Sequence, residues 1–435
     1  MDHFQYRDGV LFCESADTRH LAERFGTPLY VYSRRTLVDH FERFRAAFSP
    51  LDAKICFSVK SCQNLAILRL LNEQGASFDI VSGGELRRVL EVGAAPGGIV
   101  FAGVGKTDAE IRAGLAAKIG WFNVESEAEL AHVADIAAST GTTAQVALRI
   151  NPDVDPHTHV YTTTGKRETK FGVDLVRARR VFAEFAARPG LKLSGLHLHI
   201  GSPVNSIEPY IEAIRRAVEL IDLLDREGHR IEALNIGGGF GAHYDGGEAP
   251  PAAAYAERIV PLLAGRSLAV LLEPGRSIAA NAGALLARTL YTKSSGDRQF
   301  VIVDAAMTEL IRPALYGSFH FAWPAAPRGG STPPDRRKDL RLPDTVLVDI
   351  VGPVCESGEF LAKERWIPPV QRGDLICLFS AGAYGFTMSS QYNSRPRAAE
   401  VLVDGDSARL IRRRENYDDL VAAERAAERQ AYDDR

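Results

Sequence analysis

From about residue 30 to about residue 285, short runs rich in β-branched and aromatic residues alternate with segments whose apolar positions recur every three or four residues. The runs number eight: ICFSVK (55–60), SFDIVS (77–82), IVFAG (99–103), WFNVES (121–126), AQVALRIN (144–151), GLHLHIGS (195–202), ALNIGGG (233–239) and LAVLLEPG (268–275). Between them, stretches such as NLAILRLLNEQ and EPYIEAIRRAVELIDLLDREG carry the one-sided apolar spacing of a helix packed on a sheet. Eight strand–helix units in series predict a (β/α)8 TIM barrel over residues 31–285. From 286 the pattern changes to QFVIVDAA, DTVLVDIVG, DLICLFSAGAY and AAEVLVDG, separated by turn residues, which predicts a second, β-rich domain of barrel or sandwich type over 286–435. Residues 1–30 join it through the hairpin signal YRDGVLFCES. RGGSTPPDRRKD (328–339) reads as an exposed loop and ENYDDLVAAERAAERQAYDDR as a solvated helix or frayed end.

Composition narrows the function classes. With 46% hydrophobic and 25% charged residues over 435 positions, the chain can build two sizeable cores. Fifty-two basic against 55 acidic residues leave a net charge of -3, so no global field recruits nucleic acid or an anionic membrane, and a small-molecule partner is expected. The five cysteines are scattered without a CxxC pair, which excludes a disulfide framework and a zinc site, and no metal is expected. The N-terminus lacks the apolar core of a signal peptide and no run is long enough to span a bilayer. A cytoplasmic, soluble enzyme is the expectation.

A barrel of this type presents its chemistry at the C-terminal ends of its strands, with phosphate often held by the loops after the seventh and eighth. Those loops read GGGFG and EPGRS. Lys60 ends the first predicted strand; a lysine there is ordinarily only a solvated loop residue. Asp79, His197, His199 and Glu273 fall at other strand ends of the same mouth, and together with two glycine-rich loops they form what a phosphorylated aldehyde cofactor requires. Gly237 to Gly239 would let backbone N–H groups approach an anion, and Arg276 would add a charged hydrogen bond there or bind a substrate carboxylate. Glu273 could keep a pyridine nitrogen protonated, strengthening the ring as an electron sink.

The segments FSVKSCQNLAILRLL, SFDIVSGGEL, TGKRETKFGVD, GLHLHIGS, NIGGGFG, EPGRSI, IRPALYGSFH, VGPVCESGEF and AGAYGFTMSSQYN occur in an order that spans most of the chain. In them the chain resembles the fold type III pyridoxal-phosphate-dependent decarboxylases, and within these the diaminopimelate decarboxylase family. The resemblance implies pyridoxal 5'-phosphate carried by Lys60, with Asp79 near it and His199 stacked on the cofactor ring, while His197 is structural. It implies that Ser202, Gly238, Gly239, Gly275, Arg276 and Tyr384 surround the phosphate, and that Cys355 and Glu356 of CESG act from the partner subunit of a homodimer with shared active sites. Two departures stand out: FSVKSC where the family commonly reads YAVKAN, and HIGSP where it reads HIGSQ, so that Pro203 removes a backbone donor and could reroute the loop.

Charge separates the substrates. Diaminopimelate carries a carboxylate and an ammonium at its far end, so its pocket needs both basic and acidic groups. Arg276, Arg312, Tyr316, Glu356 and Tyr384 supply such a set, with arginine suited to a two-point grip on carboxylate. The implied reaction is decarboxylation of meso-diaminopimelate to L-lysine, in lysine biosynthesis, with Cys355 as the proton donor. Other decarboxylases of this fold, acting on ornithine, arginine, carboxynorspermidine or a siderophore precursor, remain alternatives. So does a non-catalytic cofactor-binding homologue, which would be expected to lose Lys60 or Cys355. Racemases of the fold tend to place arginine where this chain has Glu273.

Overall fold

The structure, a computed structural model, describes residues 2–155, 171–246 and 249–433. Part of the TGKRETKFGVD segment therefore lies outside the described residues. By its contacts the chain divides into two units, one formed by Val38–Ala242 and Glu248–Ile278, the other by Met1–Leu37, a short segment beginning at His243, and Ala279–Arg435.

The first unit is the predicted barrel. Its eight parallel strands are Lys54–Ser58, Ser77–Ile80, Ile99–Phe101, Trp121–Val124, Ala144–Asn151, Leu191–His197, Ala233–Asn235 and Ala269–Leu272. Each pairs with the next, and Leu271 and Leu272 of the eighth pair with Lys54 and Ile55 of the first, which closes the sheet. The interior is filled from alternating positions: Cys56, Val100, Trp121, Ala147, Ala233 and Leu271 form one buried cluster. Helices return each strand to the bottom of the barrel, and their apolar faces explain why. In Glu208–Arg226 the buried residues Tyr210, Ile211, Ile214, Ala217, Ile221 and Leu224 recur at three- and four-residue spacing. The loops at the strand ends are terminated by side-chain caps: Asn64, Ser82, Thr107, Ser126 and Asp174 each accept a backbone N–H of the helix that follows.

All eight predicted strands are present, yet their C-terminal limits shift. GLHLHIGS was expected to be strand throughout, whereas the sixth strand is Leu191–His197 and Leu198 to Ser202 form the loop beyond it. That loop runs beside the glycine loop: Val204 N–H donates to Gly239 O at 2.8 Å, after a cis Ser202–Pro203 peptide.

The second unit is mainly sheet. Strands Leu29–Ser33, Gly283–Ser295, Arg298–Val303, Val346–Val351, Ala362–Ile367, Leu375–Leu378, Ala399–Asp404 and Ser407–Arg412 share one sheet with Ala322–Pro324. The expected domain limits of 31 and 285 need correction. Leu29–Ser33 pairs antiparallel with Gly283–Leu286 and parallel with Ala399–Val403, so these backbone bonds draw residues 31–37 and 279–285 into the sheet unit. The N-terminal hairpin forms as its Asp-Gly signal predicts: Phe4–Arg7 pairs with Val10–Cys13, and Asp8 and Gly9 both take positive φ. Among the described residues no helix is long and apolar enough to cross a membrane.

Candidate active site

The barrel unit gathers Lys60, Asp79, His199, Ser202, Gly238, Gly239, Glu273, Gly275 and Arg276 at the C-terminal ends of its first, second, sixth, seventh and eighth strands. Lys60 lies in a single turn of 3-10 helix, Val59–Ser61, directly after the first strand. Its Nζ donates to Asp79 Oδ2 at 2.6 Å; the Asp79 side chain is wholly buried and that of Lys60 is 35% exposed, so the amine stays reachable from the mouth. Ser58 Oγ donates to the same carboxylate oxygen. Burial pushes the Asp79 carboxyl up, the negative charge of Glu273 adds to this, and the Lys60 ammonium opposes both.

Glu273 follows the eighth strand and is buried. Burial alone would raise its pKa, but the electrostatic pull of the neighbouring His197 and Lys60 outweighs this and holds it well below the usual carboxylate range. His197 Nε2 stands 3.4 Å from Glu273 Oε2, close enough for attraction without a formed hydrogen bond. Its 1% exposure and this contact put His197 beside the carboxylate, while the stacking role was assigned to His199.

His199 is partly buried, and Gly238 N–H donates to its Nδ1 at 3.3 Å. Burial, reinforced by the charge of Arg149, drives its pKa well below the ordinary imidazole value, so the ring is neutral near pH 7. Arg149 itself is clamped by Glu125 through bonds of 2.9 and 3.0 Å and reaches His199 O at 3.3 Å. In the glycine loop, Gly239 has φ +95°, and a Cβ there would stand 2.1 Å from Gly201 O. Only glycine brings the two loops this close. Arg276, buried at the start of the eighth loop, donates from Nε to Ser202 Oγ at 3.1 Å, joining the sixth and eighth loops.

The remaining predicted residues belong to the sheet unit. Arg312 opens the short helix Arg312–Tyr316 and is buried. Its Nη1 donates to His320 Nε2 at 2.9 Å, its Nη2 to Ser318 Oγ at 3.3 Å, and its guanidinium lies 4.9 Å from the Tyr244 ring centroid. Because His320 Nδ1 faces the Phe379 carbonyl at 2.9 Å, that nitrogen carries the proton and Nε2 accepts from the arginine. Tyr316 is half-buried, and Tyr384 is half-buried with φ 57°. Cys355 and Glu356 are exposed; Cys355 N–H donates to Asn393 Oδ1 at 2.8 Å.

Several side chains at the barrel mouth escaped the sequence reading: Ser58, Glu85, Asn123, Glu125, Arg149 and Asn235. For all but Glu85, whose partner Val81 is local, the signal is a partner on or beside another strand, which no local pattern carries.

Residues 34–280 match the family model described as the pyridoxal binding domain of the pyridoxal-dependent decarboxylases. The diaminopimelate decarboxylase of Aquifex aeolicus is 46% identical over 420 residues, covering 96% of each chain. The chain belongs to the diaminopimelate decarboxylase family. Solved members of the family share its fold: the Helicobacter pylori enzyme complexed with L-lysine has a TM-score of 0.88 at 37% identity, covering 94% of this chain and all of that one. The M. jannaschii enzyme in co-complex with L-lysine has a TM-score of 0.89 at 34% identity, with 97% of each chain covered.

The family's cofactor is pyridoxal 5'-phosphate, and the residues present fit it. A partly exposed amine sits on a buried carboxylate, a neutral imidazole lies beside the glycine loop, and an ionised glutamate lies at the end of the strand adjoining that of Lys60. Asp79 Oδ1 and Ser277 Oγ are buried without a hydrogen-bond partner among the described residues, polar atoms of the kind a bound polar group satisfies.

Proposed function

We propose that this protein removes carbon dioxide from meso-diaminopimelate to yield L-lysine, using pyridoxal 5'-phosphate. The observation that carries the reading is Glu273, a buried carboxylate held ionised at the end of the strand adjoining that of Lys60. Bound pyridoxal phosphate supplies an electron sink for the pair left on the α-carbon when the bond to the carboxylate breaks. Glu273 keeps the pyridine nitrogen protonated, which deepens that sink. Lys60, whose amine is partly exposed on the buried Asp79 carboxylate, would hold the cofactor. Asp79 orients the Lys60 amine, and His199, neutral, presents a flat face to the ring. Ser202, Gly238, Gly239, Gly275, Arg276 and Tyr384 would surround the phosphate.

Arg312, Tyr316 and Glu356 are proposed to grip the distal ammonium and carboxylate, which pass unchanged into lysine. That two solved members of the family are complexed with L-lysine supports lysine as the product. A proton must return to the α-carbon, and we assign it to Cys355 of the partner subunit in a homodimer whose sites are shared. The exposure of Cys355 and Glu356 in the single chain supports that arrangement. Mixing Lys60→Ala with Cys355→Ala protomers should restore part of the activity, since one site of the mixed dimer is intact; no recovery despite demonstrated subunit exchange would refute the sharing. A cytoplasmic location completes the reading, consistent with five cysteines that form no disulfide with one another.

The deciding experiment measures carbon dioxide released from meso-diaminopimelate, lysine, ornithine, arginine and carboxynorspermidine. Diaminopimelate should be preferred by kcat/KM. Faster release from ornithine or arginine would overturn the assignment.

A further inference from the structure

Glu273 is held by two side-chain amides. Its Oε1 accepts an Nδ2–H of Asn235 at 2.7 Å and an Nδ2–H of Asn123 at 3.1 Å. All three side chains are buried, on the fourth, seventh and eighth strands or directly after them. The orientation of Asn235 follows from chemistry: its Oδ1 faces the Gly237 N–H at 2.9 Å, and because that group can only donate, the amide nitrogen must face Glu273. Asn123 is anchored through its backbone, whose carbonyl accepts from the buried Lys106 ammonium at 2.7 Å. The same ammonium holds Gly103 O and Glu129 Oε1. With Oε1 occupied by two donors, Oε2 is the oxygen that faces His197.

We infer that Asn235, seconded by Asn123, is a positioning residue that fixes which oxygen of Glu273 is offered to the pyridine nitrogen and ties that orientation to the glycine loop through Gly237. The inference rests on the proposed cofactor chemistry and deepens it. An amide suits the task because it donates to the carboxylate and can take no proton from it. A carboxylate in its place would set two anions against each other, and one proton would be shared between them. The titratable groups that bear on Glu273 are His197, Lys60, the neutral His199 and the buried Cys56 thiol, with Asp79 as the neighbouring carboxylate.

Two variants separate the halves of the role. Asn235→Asp keeps the shape and the acceptor for Gly237 but loses the donor to Glu273; Asn235→Leu loses both. Titrating pyridoxal phosphate into cofactor-stripped protein should give a Kd within about threefold of the parent for Asn235→Asp and weakened by about tenfold or more for Asn235→Leu. In both, kcat for diaminopimelate should fall by about tenfold or more while KM changes less. The deficit of Asn235→Asp should shrink as pH is lowered from about 8.5 to about 6, because a shared proton restores the missing donor. Melting of the cofactor-free proteins reports folding, and if Asn235→Leu does not fold, the pH profile of Asn235→Asp decides alone. A deficit that is flat with pH, or undiminished turnover in either variant, overturns the inference. A parent that releases no carbon dioxide from diaminopimelate would refute the functional reading instead, and the difference in cofactor affinity between the variants would still test the clamp.

Discussion

Glu85 offers a quantitative test of the electrostatics around Lys60. It lies in the first turn of the helix Gly83–Glu91, 7% exposed, and its Oε2 accepts the Val81 N–H at 2.8 Å. Burial pushes its carboxyl from the ordinary 4.5 to about 7, with the Val81 N–H and the Lys60 charge pulling down and Asp79 pushing up. A carboxyl whose pKa is higher folded than unfolded contributes stability that is complete below 4.5 and is lost as pH rises through about 7. At about 1.4 kcal/mol per pH unit, the full loss is about 3 kcal/mol. Glu85→Gln keeps an acceptor for Val81 and never ionises, so it escapes this loss. Between about pH 5.5 and 8.5 its advantage over the parent should grow by about 2 kcal/mol, or roughly 4–8 °C in the melting temperature of a unit this size. Scanning calorimetry of the cofactor-free proteins across that range measures it. A difference that stays constant with pH, or a variant that is the less stable one at high pH, would show that folding does not raise the Glu85 pKa.

Three further outcomes are expected. Lys60→Ala should lose the visible band of the bound cofactor and all turnover while remaining folded, and borohydride reduction with peptide mapping of the parent should find the cofactor on Lys60; a label on Lys54 or Lys106 would refute this. Glu273→Gln should still bind pyridoxal phosphate but lose at least about tenfold in kcat, since a neutral amide replaces the charged acceptor; full turnover would remove the electron-sink role. Arg312→Leu should cost about 2–5 kcal/mol of transition-state binding, roughly 30- to several-thousand-fold in kcat/KM for diaminopimelate, and should weaken inhibition by L-lysine similarly. Inhibition by cadaverine, which lacks the carboxylate, should be spared, and an equal loss for cadaverine would assign Arg312 to the fold.

The barrel was legible because each strand is a compact apolar run between helices of clear spacing, and all eight runs fold as strands. Their ends were less so: in HLHIGS the apolar alternation continues past the last strand residue, His197, into a loop held by Gly239. The strand Leu29–Ser33 straddles the expected limit at residue 31, and only its pairing with residues more than 250 positions away assigns it to the other sheet. Residues that strand-end motifs contain, Lys60, Asp79 and Glu273 among them, lie at one barrel mouth as the strand count predicts. Asn123, Asn235, Glu125 and Arg149 could not be picked out from sequence, because each acts through a partner on a different strand.

The seam of the barrel runs through the site. Ser58 N–H donates to Pro274 O at 3.2 Å, and Gly275 packs so closely that a Cβ there would stand 2.7 Å from Ser58 Cβ. The lysine-bearing turn and the EPGRS loop thus become neighbours only when the last strand docks on the first, more than 200 residues after Lys60 has been synthesised. Loop closure of that span is slow compared with local helix and hairpin formation. On the proposed assignment of these loops, a nascent chain lacking its eighth strand has no complete cradle for the cofactor, and cofactor capture becomes a timestamp for barrel closure, one that pulse-labelled chains of graded length would read out.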